Sequence, residues 1–347
     1  MATPNRLLLL IGFALASAVA ALAADQVRLL SGGSKSGEIT GATRDGVAID
    51  TVDGAVNIPV SEIRYVILDD EPTQVTQARI NIGNGGFETA AEMLGGLDET
   101  KLDSKLVRQE VAYFKAASAA RLAIGGVGDA QEAGKQLTAF VREHGDSFHY
   151  YEAVETLGDL LVSLKRYDQA ENMYGQIGKA SGMGLKARAA LLAGRMLQVQ
   201  GKHDDALKRF EALIAASSSD PGVIETQRLA KLAKAESLAA TGQLEAGLEV
   251  ARDVIRAADE REVATLAAGY NALGRCYEAA ERRKDALFAY LHTDLMFNSD
   301  PATHAEALAH LGPLWLDAGK PDAARDASAR LKRQYAATPQ ARSIGER

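Results

Sequence analysis

The sequence predicts a mainly α chain: a solenoid of stacked helical hairpins preceded by a small all-β, barrel-like domain. Three observations carry this. Apolar residues recur at a period near two from Asp25 to Asp70, and at spacings of three and four from residue 71 nearly to the end. Within the second region one hairpin pattern returns. YEAVETLGDLLVSLKRYDQAENMYGQI, Tyr151 to Ile177, is answered by AAGYNALGRCYEAAERRKDALFAYLHT, Ala267 to Thr293.

Ahead of both regions stands a leader. MATPNR carries one positive charge, LLLLIGFALASAVAAL is unbroken apolar sequence, and Ala21-Leu22-Ala23 offers the small-x-small pattern that signal peptidase reads. Residues 1–24 are therefore expected to be a signal peptide cleaved after Ala23 or Ala24, which makes the protein exported, periplasmic or extracellular. The competing reading is a retained anchor, since a run of about 17 apolar residues is near the lower limit for spanning a bilayer. Membrane association is expected only through an uncleaved leader.

Residues 25–70 are expected to form the β domain. Val47-x-Ile49, Val56-x-Ile58-x-Val60 and Tyr65-x-Ile67 alternate, and GGSKSG, Arg44-Asp45-Gly46 and Asp53-Gly54 supply turns. That gives about five short strands, a bent sheet or barrel of the SH3-like or Sm-like kind that leaves few exposed edges. So small a domain is expected to lean on the helical region C-terminal to it.

Residues 71–338 are expected to hold about seven hairpins, with 339–347 a flexible tail. Prolines fall mainly between segments, at Pro221, Pro301, Pro321 and Pro339, whereas Pro313 falls inside a helix and is expected to kink it. Four units are firm: Leu157-Gly158, Leu161, Ala170 and Tyr174; Gly194, Leu197, Ala206 and Phe210; Leu273-Gly274, Tyr277, Ala286 and Tyr290; Leu311-Gly312, Trp315, Ala324 and Leu331. A glycine inside a helix costs about 1 kcal/mol against alanine. Its return at one phase points to a close crossing, with the alanine answering from the second helix. The first unit keeps Phe87, Ala90 and Leu94 but has a glycine-rich turn, Gly83-Asn84-Gly85-Gly86, and two others fit poorly: one has Arg121 where a small residue belongs, and one has Lys231 and Lys234 where apolar residues belong. One hairpin cannot bury its apolar face alone, but a stack can.

These residues resemble the tetratricopeptide repeat, whose unit has a small residue at position eight, a large one at eleven, alanine at twenty and an aromatic near twenty-four. The resemblance covers roughly residues 72 to 338 and implies a right-handed superhelix whose first helices line a concave groove. Carried over by position, the groove is expected to include Glu152, Glu155 and Asp159, then Arg188, Leu191, Arg195 and Gln198, then Asn271 and Arg275. It would be acidic at one hairpin and basic at the next. Asn271 with Arg275 resembles the asparagine-plus-cation arrangement with which some members hold a peptide carboxylate, where Arg supplies charge-assisted bonds and Asn orients.

Chemistry is otherwise sparse. The six histidines show no metal-ligand spacing and read as solvated or capping residues, so no metal or other cofactor is expected. SGGSKSG lacks the spacing of a phosphate loop and reads as a turn. Cys276 is the sole cysteine and reads as a small packed thiol, which leaves no intramolecular disulfide. The formal net charge is −7 with no basic block, which disfavours a nucleic-acid partner. No enzymatic constellation is visible. The sequence therefore points to an exported, non-enzymatic scaffold binding protein or peptide partners of the cell envelope through the groove. The alternative makes the β domain operative, for cell-wall polymer binding or oligomerisation, with the repeats as spacer.

Overall fold

A computed structural model describes residues 24–336 and 338–343; the expected leader lies outside the described residues. Five strands come first: β1 (Asp25–Leu29), β2 (Ser34–Thr43), β3 (Gly46–Thr51), β4 (Gly54–Pro59) and β5 (Ile63–Ile67), with a 3-10 turn at Val60–Glu62. They form one antiparallel sheet in the order β4-β3-β2-β1-β5. The ten-residue β2 spans it and shifts register between Ile39 and Gly41, the kind of irregularity that bends a strand. Asp25 pins the start of β1, its carboxylate accepting from the Ile39 and Asp69 amides, both at 2.9 Å.

Fifteen α-helices follow among the described residues: α1 (Thr73–Gly83), α2 (Phe87–Gly95), α3 (Lys105–Ile124), α4 (Ala130–Glu143), α5 (Tyr150–Ser163), α6 (Tyr167–Ile177), α7 (Met183–Val199), α8 (His203–Ala215), α9 (Pro221–Ala240), α10 (Leu244–Ala257), α11 (Val263–Ala279), α12 (Arg283–Met296), α13 (Pro301–Asp317), α14 (Pro321–Gln334) and α15 (Pro339–Ser343). The first fourteen pack in sequence as seven hairpins, each leaning on the next. Residues 339–343, read from sequence as part of a flexible tail, form α15, and Ala341 is buried there.

Sheet and solenoid share one core. Val27, Val47, Ile49, Ile58, Ile63 and Val66 are buried on the inner face of the sheet, together with Val75 and Ala78 of α1, Ala90 and Leu94 of α2, and Val107, Val111 and Phe114 of α3. The β2–β3 turn reaches further along the stack. Asp45 accepts from the Ser181 hydroxyl at 2.9 Å, and the Arg44 guanidinium lies 5.5 Å from the centre of the Tyr150 ring.

Local chemistry sets the helix boundaries. Ser104, Asp129, Asp220 and Asp300 cap N-termini with their side-chain oxygens, and Pro221, Pro301 and Pro321 sit in first turns, where a missing amide costs nothing. The turn inside a hairpin is a repeated Schellman motif, in which an amide beyond the end returns to a carbonyl five residues back: Val127 to Leu122, Arg166 to Leu161, Lys202 to Leu197, Gln243 to Leu238, Arg282 to Tyr277 and Lys320 to Trp315. The residue before that amide must be left-handed. Glycine fills it at Gly126, Gly201, Gly242 and Gly319, but Lys165 and Glu281 hold φ of 58° and 59°. Lys165→Gly and Glu281→Gly should therefore each stabilise the protein by up to about 1 kcal/mol, readable as a higher urea midpoint at unchanged slope.

The close crossings differ from expectation in one respect. The space beside Gly158, Gly194 and Gly274 is filled by the rings of Tyr174, Phe210 and Tyr290 from the second helix, so tightly that an added methyl would overlap the ring. Ala170, Ala206 and Ala286 are buried too, but the glycine makes room for the aromatic sixteen residues on. Gly312 faces Ser328 instead.

The two ill-fitting units come into register here. In α3 the small residue is the fully buried Ala120, one before Arg121, and in α9 it is the fully buried Ala235. Lys231 is exposed and Lys234 pairs with Glu211 at 2.9 Å, so neither occupies a core position. Pro313 lies inside a helix as expected, and α13 continues past it to Asp317.

Candidate functional site

First helices stack on first helices, α3 on α5, α7 on α9, α9 on α11 and α11 on α13, while α5 and α7 are linked through Glu155 and Arg188, and together they form one wall. The ends of that wall approach each other. The α1–α2 turn, Tyr113 and Arg121 of α3 face Pro301 and Ala305 of α13 and Tyr335 across a cleft of about 490 Å³. Arg342 in α15 approaches Glu88 in α2 at 4.0 Å. The inner faces of the first helices thus surround a hollow.

The residue after each small crossing residue carries an alternating charge: Arg121, Asp159, Arg195, Glu236 and Arg275 on α3, α5, α7, α9 and α11. Two neighbouring pairs along this row bond to one another. Arg121 donates to Asp159 at 3.1 Å and Arg275 to Glu236 at 2.6 Å. A second tier bonds likewise: Arg188 donates twice to Glu155, at 2.5 and 3.2 Å, and Arg275 also donates to Glu306. Two of the crossing tyrosines join in. The Tyr174 hydroxyl donates to Asp159 at 3.0 Å, and that of Tyr290 donates to Glu278 at 2.7 Å. Glu278 also holds His310 Nδ1 at 2.8 Å.

Desolvation dominates the electrostatics of this wall. Burial raises the pKa of Asp159 above the ordinary carboxylate value, with the Arg121 charge opposing the rise. For Arg188 and Arg275, burial pulls the pKa down, yet the facing Glu155 and Glu236 outweigh it and both stay firmly protonated.

Arg195 is different. Among the described residues it has no hydrogen-bond or ion-pair partner, although solvent reaches its side chain. Its flanking acids are committed elsewhere, Asp159 to Arg121 and Glu236 to Arg275. Its pKa is lowered, first by desolvation within the concave wall and also by the nearby positive Arg188 and Arg275, against the pull of Glu236. A guanidinium that solvent reaches and that no acid of the chain engages is free to donate to an incoming anion.

Other expected groove residues are placed differently. Leu191 and Asn271 are fully buried, so a partner cannot reach them in this conformation. Asn271 and Arg275 do hold a carboxylate together, but it is Glu306 of the adjoining α13: the Asn271 amide donates to it at 3.1 Å and to the Thr303 carbonyl at 2.9 Å. Gln198 bridges to α9, donating to the Ala233 carbonyl and the Ser237 hydroxyl. Glu152 is exposed and bonds His149 Nδ1 at 2.7 Å. The expectation of acidic and basic hairpins is thus modified, because the opposite charges neutralise each other across neighbouring helices. Arg121 and Glu236 were not legible as members. The signal that finds them is position, immediately after a buried alanine that replaces the glycine.

Two histidines correct the solvated reading. His149 lies buried between Glu110 and Glu152, and His304 is buried against Asp294 at 2.8 Å. Cys276 is fully buried, and burial, with the Glu236 charge adding, pushes its thiol up to about 12.

No family model matches the chain, and no curated protein matches it. Solved structures of similar arrangement include a tetratricopeptide repeat protein from Parabacteroides merdae, at 12% identity over 76% of this chain and 92% of that one, TM-score 0.46. The apo form of the quorum sensor NprR from B. thuringiensis is 9% identical over 76% and 86%, TM-score 0.44. BtubC from P. vanneervenii is 21% identical over 68% and 92%, TM-score 0.38. The chain is a tetratricopeptide-like solenoid behind a small β sheet, as its own hairpins and crossings establish.

Proposed function

We propose that this chain is an exported, non-enzymatic scaffold that binds a protein or peptide of the cell envelope in the hollow, and that Arg195 receives a carboxylate of that partner. The observation that carries the reading is the contrast along one wall: Arg121, Arg188 and Arg275 are each satisfied by an acid of this chain, and Arg195 is not. An exposed arginine with no acid of its own chain to pair with can donate charge-assisted bonds to an incoming carboxylate. Export rests on the leader, and N-terminal sequencing of the native protein should begin at Ala24 or Asp25. Residues upstream of Ala20, with membrane retention, would show an anchor instead.

A photocrosslinking residue tests where the partner sits. Val199 is 62% exposed and lies one turn beyond Arg195 on α7. Placed at 199, the crosslinker should trap a protein in envelope-bearing cells. A trap at 52 with none at 199 would favour the second reading, in which the sheet is the operative module. That reading is supported by the outer edge: β4 pairs with β3 alone, Val52 in the turn before it is 101% exposed, and Val56 is 37% exposed. The strand order, with a 3-10 turn before β5, supports an SH3-like type for this sheet. Point probes suit the comparison because cutting the chain near Pro72 would split the shared core.

A further inference from the structure

Outside the hollow, a groove of about 870 Å³ opens between the second helices α4 and α6. Its floor is Leu157, Leu160 and Leu161 of α5, which are themselves buried at 8% exposure or less, with Leu164 just beyond the end of that helix. Leu164 is 38% exposed. The groove is open because its walls are short: α4 offers Ala130, Gly134 and Thr138, one turn apart, where long side chains would close the gap.

Its charge is one-sided. Lys135, Arg142 and Arg166 line the groove, and no Asp or Glu does. Lys135 and Arg142 make exposed pairs with Glu132 and Glu143 on their own helix, worth little in water, and the Arg166 side chain has no partner among the described residues. An apolar trough the width of a helix, with basic edges, fits an amphipathic helix carrying acidic flanks.

We propose that the α4–α6 groove is a second docking site, independent of the hollow, and that its occupant is an acidic amphipathic helix of a partner protein. Leu164 and the half-buried Val141 and Met173 would take the apolar stripe, and Arg142 and Arg166 would face the carboxylates on either side of it. Binding would place a partner on the outside of the stack while the hollow stays free.

Two synthetic helical peptides of about 14 residues, four turns each, test this on the full mature chain. They share one leucine stripe and differ only in carrying Glu or Lys on the flanks. Fluorescence anisotropy should show the Glu peptide binding in the micromolar range and the Lys peptide at least about tenfold more weakly. The double variant Arg142→Glu/Arg166→Glu should reverse the preference. Gly134→Leu should abolish binding of the Glu peptide with the urea midpoint kept near that of the parent: a Cβ there meets Leu160 at 3.7 Å, an ordinary contact. Equal affinity for the two peptides, or an unchanged affinity in both variants, would overturn the proposal. So would concentration-dependent dimerisation abolished by Gly134→Leu, which would assign the groove to a second copy of this chain.

Discussion

Phe210→Ala is expected to lower the stability of the protein by about 3–5 kcal/mol, as for other fully buried aromatics. Phe210 is completely buried and its ring lies on the bare Cα of Gly194, so its removal leaves a cavity at the centre of the α7–α8 hairpin. The same contact makes Gly194→Ala costly on its own, by about 1–3 kcal/mol, because the methyl overlaps the ring. In the Phe210→Ala background that methyl has room, and the second change should cost almost nothing or help. Urea unfolding of the four proteins gives the coupling directly. Additive effects would mean that the glycine does not serve the ring, and the explanation of the repeat would fail with it.

Glu110→Ala is expected to cost a similar amount, about 3–5 kcal/mol, the usual result of removing one member of a buried ionic group. Glu110 is fully buried on α3 and accepts from Arg79 at 3.1 Å and from His149 at 2.9 Å. Arg79 also grips Glu71 where the sheet gives way to α1, and His149 stacks on Tyr113 with ring centres 4.0 Å apart. The group therefore ties α1, α3 and α5 together beneath the sheet.

Burial alone would raise the pKa of Glu110, but His149 and Arg79 together hold it below the ordinary value. Burial would lower that of His149, yet Glu110 above all, with Glu152, raises it to about 9. The histidine's contribution is thus complete below its unfolded pKa near 6.5 and is lost as pH rises through about 9. The glutamate's contribution is present above its unfolded pKa and is lost as pH falls. Stability should decline between pH 6.5 and 9, and His149→Gln should flatten that decline. An equal slope in the two proteins would show that His149 is not charged in the folded state.

The periodicities carried the broad fold: alternation at Val47 and Ile49 and at Val56 and Ile58, then the return of Gly158, Gly194 and Gly274 with an aromatic sixteen residues on. Recognition weakened where the small residue is alanine. Ala120 and Ala235 do not stand out in an alanine-rich chain, so Arg121 looked like a misfit and Glu236 went unassigned. The state of the groove was less legible for a spatial reason. Arg188 and Glu155, or Arg275 and Glu306, lie on different helices more than thirty residues apart, and nothing local shows that each will be the other's partner. Asn271 with Arg275 looked like a free clamp because the carboxylate that fills it belongs to the adjoining unit.

The claim that the hollow binds through its one unsatisfied arginine is tested most directly by the affinity of the partner trapped from position 199. Isothermal titration should show Arg195→Ala weakening that partner by about 1.5–3 kcal/mol, the value of a charge-assisted bond. Replacing Arg282 and Arg283, which pair with Asp285 and Asp317 at an exposed turn, should change it little. An Arg195→Ala protein that binds as tightly as the parent would contradict the account.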